Sequence, residues 1–175
     1  MNGLRAYECP NSLFNLARSY FTQRSAYLTT NNYRIQREVS KGCPQGSCCV
    51  PGLWNILYNT ILNLNFTKRT TAVAFEDDLL LITRGESVRE AENFANIDMS
   101  KIKAWSKRNK VGFNEAESKT MLISRWKRKE AKEIKIYLNN KPIEQFTTMK
   151  YLGIVIDASL NLANIVATLR INVIS

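Results

Sequence analysis

Asp77 and Asp78 stand side by side in Ala74-Phe75-Glu76-Asp77-Asp78-Leu79-Leu80, two carboxylates between strongly apolar flanks. Such a pair is costly to place among apolar residues unless something positive neutralises it. A hard divalent cation such as Mg²⁺ takes oxygen ligands and leaves positions for substrate phosphates. Two such ions about 3.5–4 Å apart stabilise both the attacking and the leaving oxygen of a phosphoryl displacement. An acidic hairpin turn open to solvent accounts for the same residues without any chemistry. About thirty residues earlier, Gly42-Cys43-Pro44-Gln45-Gly46-Ser47 forms a glycine- and proline-rich loop ahead of a buried helix.

The chain has 175 residues and no histidine. Ser-His-Asp and Cys-His nucleophile systems, His-ligated zinc and imidazole acid–base catalysis are therefore excluded. Carboxylates, lysines, hydroxyls and thiols remain, with a hard metal. The formal charge of +10 is unevenly spread. Residues 1–75 carry a net +6, residues 76–100 a net −5 and residues 101–150 a net +9. An acidic island between basic stretches suits a polyanion-binding surface around a cation-binding centre, or a basic protein with one acidic helix. Cys9, Cys43, Cys48 and Cys49 make no Cys-x-x-Cys pair, so zinc spacing is absent and reduced thiols are expected. Met1 to Pro10 lacks the apolar stretch of a signal peptide, and no run approaches a membrane span. A chain working inside the cell, without membrane partners, is expected.

The elements that must position these residues follow from periodicity. Leu13, Leu16, Ala17 and Tyr20 predict a helix from Asn11 to about Gln23. Tyr27 to Val39 reads as a hairpin turning at Asn31-Asn32, and Leu53, Trp54, Leu57, Ile61 and Leu64 as a buried helix opened by Pro51. Ala72–Phe75 and Leu79–Ile82 read as two strands with the acids at their tip. Ser87-x-x-Glu90 is a capping box, and Ala91, Phe94, Ala95, Ile102 and Trp105 give the following helix an apolar face. Strand-like pieces follow at Thr120–Ser124, Glu133–Leu138, Pro142–Phe146 and Tyr151–Ile156, with Asn139-Asn140 as a turn; the last fifteen residues show no clear pattern. This order predicts an α+β domain with an antiparallel sheet and packed helices.

Together these motifs resemble the reverse transcriptase of non-LTR (LINE-type) retrotransposons, most of all the clade inserted in arthropod ribosomal DNA. The loop matches a G-x-P-Q-G-S motif, and Phe75-Glu76-Asp77-Asp78 a [Phe/Tyr]-x-Asp-Asp motif. Trp105…Asn114…Lys119-Thr120 is similar to the next family motif, and Lys150-Tyr151-Leu152-Gly153-Ile154 to the hairpin that grips the primer. The resemblance implies a partial polymerase palm over residues 1–157, with a degenerate tail at 158–175 and with fingers and thumb largely missing. It implies Asp77 as principal metal ligand with Asp78 beside it, binding Mg²⁺ or, alternatively, Mn²⁺. Phe75, Pro44, Gln45, Gly46 and Ser47 would lie beside the incoming nucleotide and template, and Leu152 and Gly153 would place the primer. Lys119 matches the family lysine proposed to protonate the leaving pyrophosphate, although a solvated strand-edge lysine reads the same. Tyr151 to Ile154 could equally be an ordinary core strand. The basic stretch Lys101 to Lys135, with Trp105 and Trp126, suits backbone contacts with a duplex or forms a solvated face. The implied partners are an RNA template, a DNA primer and dNTPs, and the implied compartment is the nucleus.

Three departures qualify this likeness. The family's first palm motif, which supplies a third carboxylate, has no match: the only acids before Glu76 are Glu8 and Glu38. Glu76 occupies a position that is usually small, and Val50 stands where glycine is expected before Pro51. Loss of one of three metal-binding carboxylates should remove most activity. The expectation is a reverse transcriptase fragment inactive alone, with a non-catalytic nucleic-acid-binding palm remnant as the alternative.

Overall fold

The computed structural model describes residues 2–31, 33–40, 42, 46–123, 133–158 and 169–174. The chain divides into two units, Met1–Ile61 and Leu62–Ser175. The first holds α1 (Asn2–Ala6), α2 (Asn11–Tyr20), β1 (Ser25–Thr29), β2 (Arg34–Glu38) and most of α3 (Val50–Leu62). The predicted helix from Asn11 ends three residues early, where Phe21 caps it and Thr22 Oγ1 donates to the Arg18 carbonyl at 2.6 Å. β1 and β2 form the predicted hairpin, in register from Ser25–Glu38 to Thr29–Arg34, and Thr30 N donates to Tyr33 O across its turn. Of the predicted turn pair, Asn31 lies in this loop and Asn32 outside the described residues. Gly3 fits closely against α3: a Cβ there would meet Ile56 Cγ2 at 2.9 Å, and Asn59 Nδ2 donates to Tyr7 Oη nearby. α3 opens as predicted near Pro51. Val50 is accommodated in its first turn, with its N–H donating to Ser47 O at 3.2 Å.

The second unit holds β3 (Thr70–Phe75), β4 (Asp78–Thr83), α4 (Val88–Asn109) and β5 (Gly112–Thr120). Four short strands follow: β6 (Tyr137–Leu138), β7 (Lys141–Pro142), β8 (Glu144–Gln145) and β9 (Thr148–Tyr151). β10 (Ile154–Asp157) and β11 (Leu169–Ile174) complete it. Five strands form one sheet in the order β3-β4-β11-β5-β8, while β6–β7 and β9–β10 pair as separate hairpins. α4 packs on β3, β4 and β5. Its Ala95, Met99, Ile102 and Trp105 are buried, as are Leu79, Leu81 and Phe113 of the strands, each Leu, Ile, Met or Phe side chain worth about 1.5–3 kcal/mol when removed from water. Ser87 caps α4 by accepting from Glu90 N, and the Glu90 carboxylate reaches back to Glu86 N. Gly85 is tight against this helix start, where an added Cβ would lie 2.5 Å from Ala91 N.

The α+β architecture is the one expected, with local differences. The sheet is antiparallel except that β5 and β8 pair in parallel. The strand expected at Thr120–Ser124 lies earlier, at Gly112–Thr120, because Phe113, Ser118 and Thr120 supply the buried positions. Tyr151–Ile156 is two strands around a turn, not one, with Leu152 and Gly153 both at positive φ. Asn139 and Asn140 form the expected turn, both left-handed as a two-residue hairpin requires, and Asn139 Nδ2 donates to Glu115 Oε1 at 2.7 Å. The patternless final segment contains β11, which occupies the middle of the sheet, paired with β4 on one side and β5 on the other.

Candidate active site

The acidic pair sits on the β3–β4 hairpin. Phe75 pairs with Asp78, leaving Glu76 and Asp77 as a two-residue loop. Tight two-residue loops need a left-handed residue, and here Glu76 takes it, with φ at +53°. Asp77 is exposed in the turn, whereas Asp78 begins β4 and is 9% exposed. The two carboxylates therefore differ in setting, one facing water and one set into the sheet.

Strand alternation decides what shares a face with Asp78. Leu80 and Ile82 follow it on β4, and the cross-strand pairs add Val73 and Phe75 of β3. Leu80 pairs with Arg170 of β11, and Arg170 pairs in turn with Lys119 of β5. Register thus puts Lys119 on the Asp78 face, two strand spacings or about 10 Å from the β4 backbone. The Lys119 ammonium lies 4.8 Å from the centre of the Phe146 ring, a cation–π contact that restricts where it can reach.

The opposite face of the hairpin is anchored by a buried network that periodicity alone did not single out. Asp98, fully buried on α4, accepts from Thr67 N at 3.0 Å and from Thr67 Oγ1 at 2.8 Å. Lys101 Nζ donates to Asp98 Oδ1, the oxygen that also accepts from Thr67 N, at 2.7 Å, and donates as well to Asn65 O. Hydroxyl contacts continue from Thr67 to Thr70 and from Thr70 to Thr83, each at 3.0 Å, crossing from the entry of β3 to β4. Burial pushes the Asp98 carboxyl up, but hydrogen bonds from Lys101, Thr70 and Thr67 outweigh it and hold the group below the usual carboxylate range. The readable signal was an aspartate falling in the same helical stripe as Ala95, Ile102 and Trp105.

The remaining predicted residues are distributed over both units. Gly46, at φ +86°, and Ser47 form the turn before α3 in the first unit, while Pro44 and Gln45 lie outside the described residues. Leu152 and Gly153 form the tip of the β9–β10 hairpin, at φ +46° and +85°. Trp105 is 2% exposed, with its ring centre 6.3 Å from that of Phe113, so it belongs to the core and offers no surface for stacking. Trp126 lies outside the described residues. Among the described residues, no group of three or more His, Cys, Asp or Glu side chains converges to hold a metal ion. No helix among them is long and apolar enough to cross a membrane.

Comparison with known proteins gives this geometry a context. A family model described as reverse transcriptase (RNA-dependent DNA polymerase) matches residues 1–156. The chain is 28% identical over 156 residues to the putative 115 kDa protein in type-1 retrotransposable element R1DM of Drosophila melanogaster, covering 89% of this chain and 15% of that protein. It is 26% identical over 158 residues to the retrovirus-related Pol polyprotein from type-1 retrotransposable element R1 of Bradysia coprophila, covering 90% and 16%. It is 24% identical over 165 residues to the probable RNA-directed DNA polymerase from transposon X-element of Drosophila melanogaster, covering 92% and 18%. The chain thus spans less than a fifth of the length of these relatives. No solved structure matches it.

Proposed function

This chain belongs to the reverse transcriptase (RNA-dependent DNA polymerase) family, of the non-LTR retrotransposon kind, and from that premise we propose that its acidic hairpin is the metal-binding part of a nucleotidyl-transfer site. The substrates in this reading are an RNA template, a DNA primer and dNTPs, and the compartment is the nucleus. The observation that carries it is the hairpin itself, which sets Asp77 in the turn and Asp78 at the start of β4. Lys119, on the same sheet face, would be the group that donates a proton toward a departing phosphate.

The donor set suits Mg²⁺, or Mn²⁺ in its place: hard carboxylate oxygens from one adjacent pair. Mg²⁺ commonly binds through one or two carboxylates, with waters and substrate phosphates filling the other positions. Once bound it would supply charge neutralisation at the phosphate being transferred. Asp77 and Asp78 would hold it, and Phe75 beside them would abut the nucleotide. Gly46 and Ser47, with Pro44 and Gln45 preceding them, would line the nucleotide and template, and Leu152 and Gly153 would seat the primer.

Two carboxylates are fewer than the three this family's two-metal arrangement uses, so the 175 residues alone are proposed to be catalytically silent. Primer extension on an RNA template with Mg²⁺ and all four dNTPs tests this, with no extension expected. Robust synthesis abolished by Asp77→Ala would overturn the proposed silence and support the site. A second reading, a nucleic-acid-binding palm without catalysis, is favoured by the basic segments flanking the acidic one. Steeply salt-dependent duplex binding that ignores Asp77→Ala would select it.

A further inference from the structure

At the end of the β3–β4 hairpin away from its acidic turn, Lys68, Arg69, Thr71 and Arg84 line an open cleft of about 310 Å³. The backbone explains why they meet. Arg84 N donates to Arg69 O at 2.9 Å, so the hairpin pairing runs one step past Thr70–Thr83 and sets two arginines opposite each other. Alternation from that pair places Arg69, Thr71, Val73 and Phe75 on one face of the hairpin, the face that also carries Asp78. Exposure follows the same alternation. Thr71, Val73 and Phe75 are exposed, while Thr70, Ala72 and Ala74 are half-buried on the α4 side.

Three cations around one hollow repel each other unless something negative enters. Glu86 compensates only in part, its carboxylate 3.4 Å from the Arg69 guanidinium with both side chains largely in water. Among the described residues, Lys68 and Arg84 have no carboxylate partner. Two guanidinium forks, an ammonium and a hydroxyl around an accessible space are the groups that bind a phosphate: planar donors for two oxygens, a point charge and a neutral donor.

We propose that this cleft binds a backbone phosphate of nucleic acid and anchors the strand one hairpin-length from the acidic turn. The inference rests on the reading that the chain handles a template–primer, and it adds a contact point to that reading. Arg84 and Asp78 are six residues apart on an extended chain, about 20 Å. The cleft would therefore take a phosphate a few nucleotides along the strand from one held at the turn. Between them, exposed Val73 and Phe75 offer apolar surface to the intervening sugars and bases, and no acidic side chain of β3 interrupts the path.

The test measures affinity of the full chain for a fluorescein-labelled RNA–DNA hybrid as a function of salt. Each phosphate contact contributes about 0.9 to the slope of log K against log salt. Lys68→Ala with Arg84→Ala should flatten that slope by about 2, while Lys68→Arg with Arg84→Lys keeps it, and both pairs should unfold at the wild-type temperature because the sites are exposed. A slope unchanged in the double alanine variant overturns the cleft while leaving the template–primer reading intact. A wild-type chain that fails to bind the hybrid overturns both. Titration with inorganic pyrophosphate forms the second arm. Binding of pyrophosphate lost in the alanine pair, with the hybrid slope unchanged, would make the cleft a site for free phosphates and overturn its assignment to a strand.

Discussion

Lys119 and Asp78 lie on the same face of one sheet although β11 runs between their strands. The pairing Lys119–Arg170–Leu80 fixes this, since Leu80 and Asp78 are two residues apart on β4. Lys119→Met keeps the stem packed on Phe146 and removes the charge. The lost cation–π contact is worth about 0.5–1 kcal/mol, so thermal unfolding should move by no more than a few degrees. Hybrid binding should lose about one unit of salt slope, and Lys119→Arg should restore it. A full unit retained by the Met variant would mean that Lys119 faces no phosphate.

Glu76 holds a left-handed backbone that costs a residue with a Cβ about 1–2 kcal/mol. Glu76→Gly removes that cost and one of three adjacent negative charges, while giving the unfolded chain more freedom. The net expectation is a stability gain of about 0.5–1 kcal/mol, read by chemical denaturation. Glu76→Val should lose stability, because a β-branched side chain fits this backbone least.

Asp98→Asn should lower stability by about 1–3 kcal/mol, as one buried carboxylate oxygen facing Thr67 and Lys101 becomes a donor. Because the folded carboxyl ionises more readily than an unfolded one, its contribution is complete above about pH 4. It fades as pH falls through the lower folded value. Wild-type stability should therefore fall more steeply below about pH 4 than that of the Asn variant, as measured by urea unfolding across that range.

Gly85→Ala puts a Cβ into the backbone of the first turn of α4. Rigid backbone cannot yield as a side chain would, so a loss of about 1–3 kcal/mol is expected. In a chain of this size that corresponds to a midpoint drop of about 2–4 °C per kcal/mol.

The hairpin and its acids were legible because Glu76, Asp77 and Asp78 interrupt two apolar runs at one place. α4 was legible because its cap and its stripe agree. β5 was misplaced because Asn114, Glu115 and Glu117 form a polar stretch that conceals the buried Phe113, Ser118 and Thr120 on either side of it. β11 was missed although Leu169, Ile171 and Val173 alternate, since the neighbouring residues give no turn signal to frame them. The cleft was invisible for another reason: Lys68 and Arg69 are fifteen or so residues from Arg84, and only strand pairing brings them together. The network on Asp98 depends likewise on a loop thirty-one residues earlier.

The central position of β11 also fixes an order of events. Leu169 pairs with Leu81 across almost ninety residues of sequence, and closing so long a loop is slow compared with forming a local hairpin. During synthesis the acidic hairpin and α4 can form early, yet the sheet behind them stays split until residues 169–174 emerge. Until then β4 and β5 expose open edges that other strands can join. Assembly of this sheet is therefore governed by the strand made last, which carries none of the residues assigned to its chemistry.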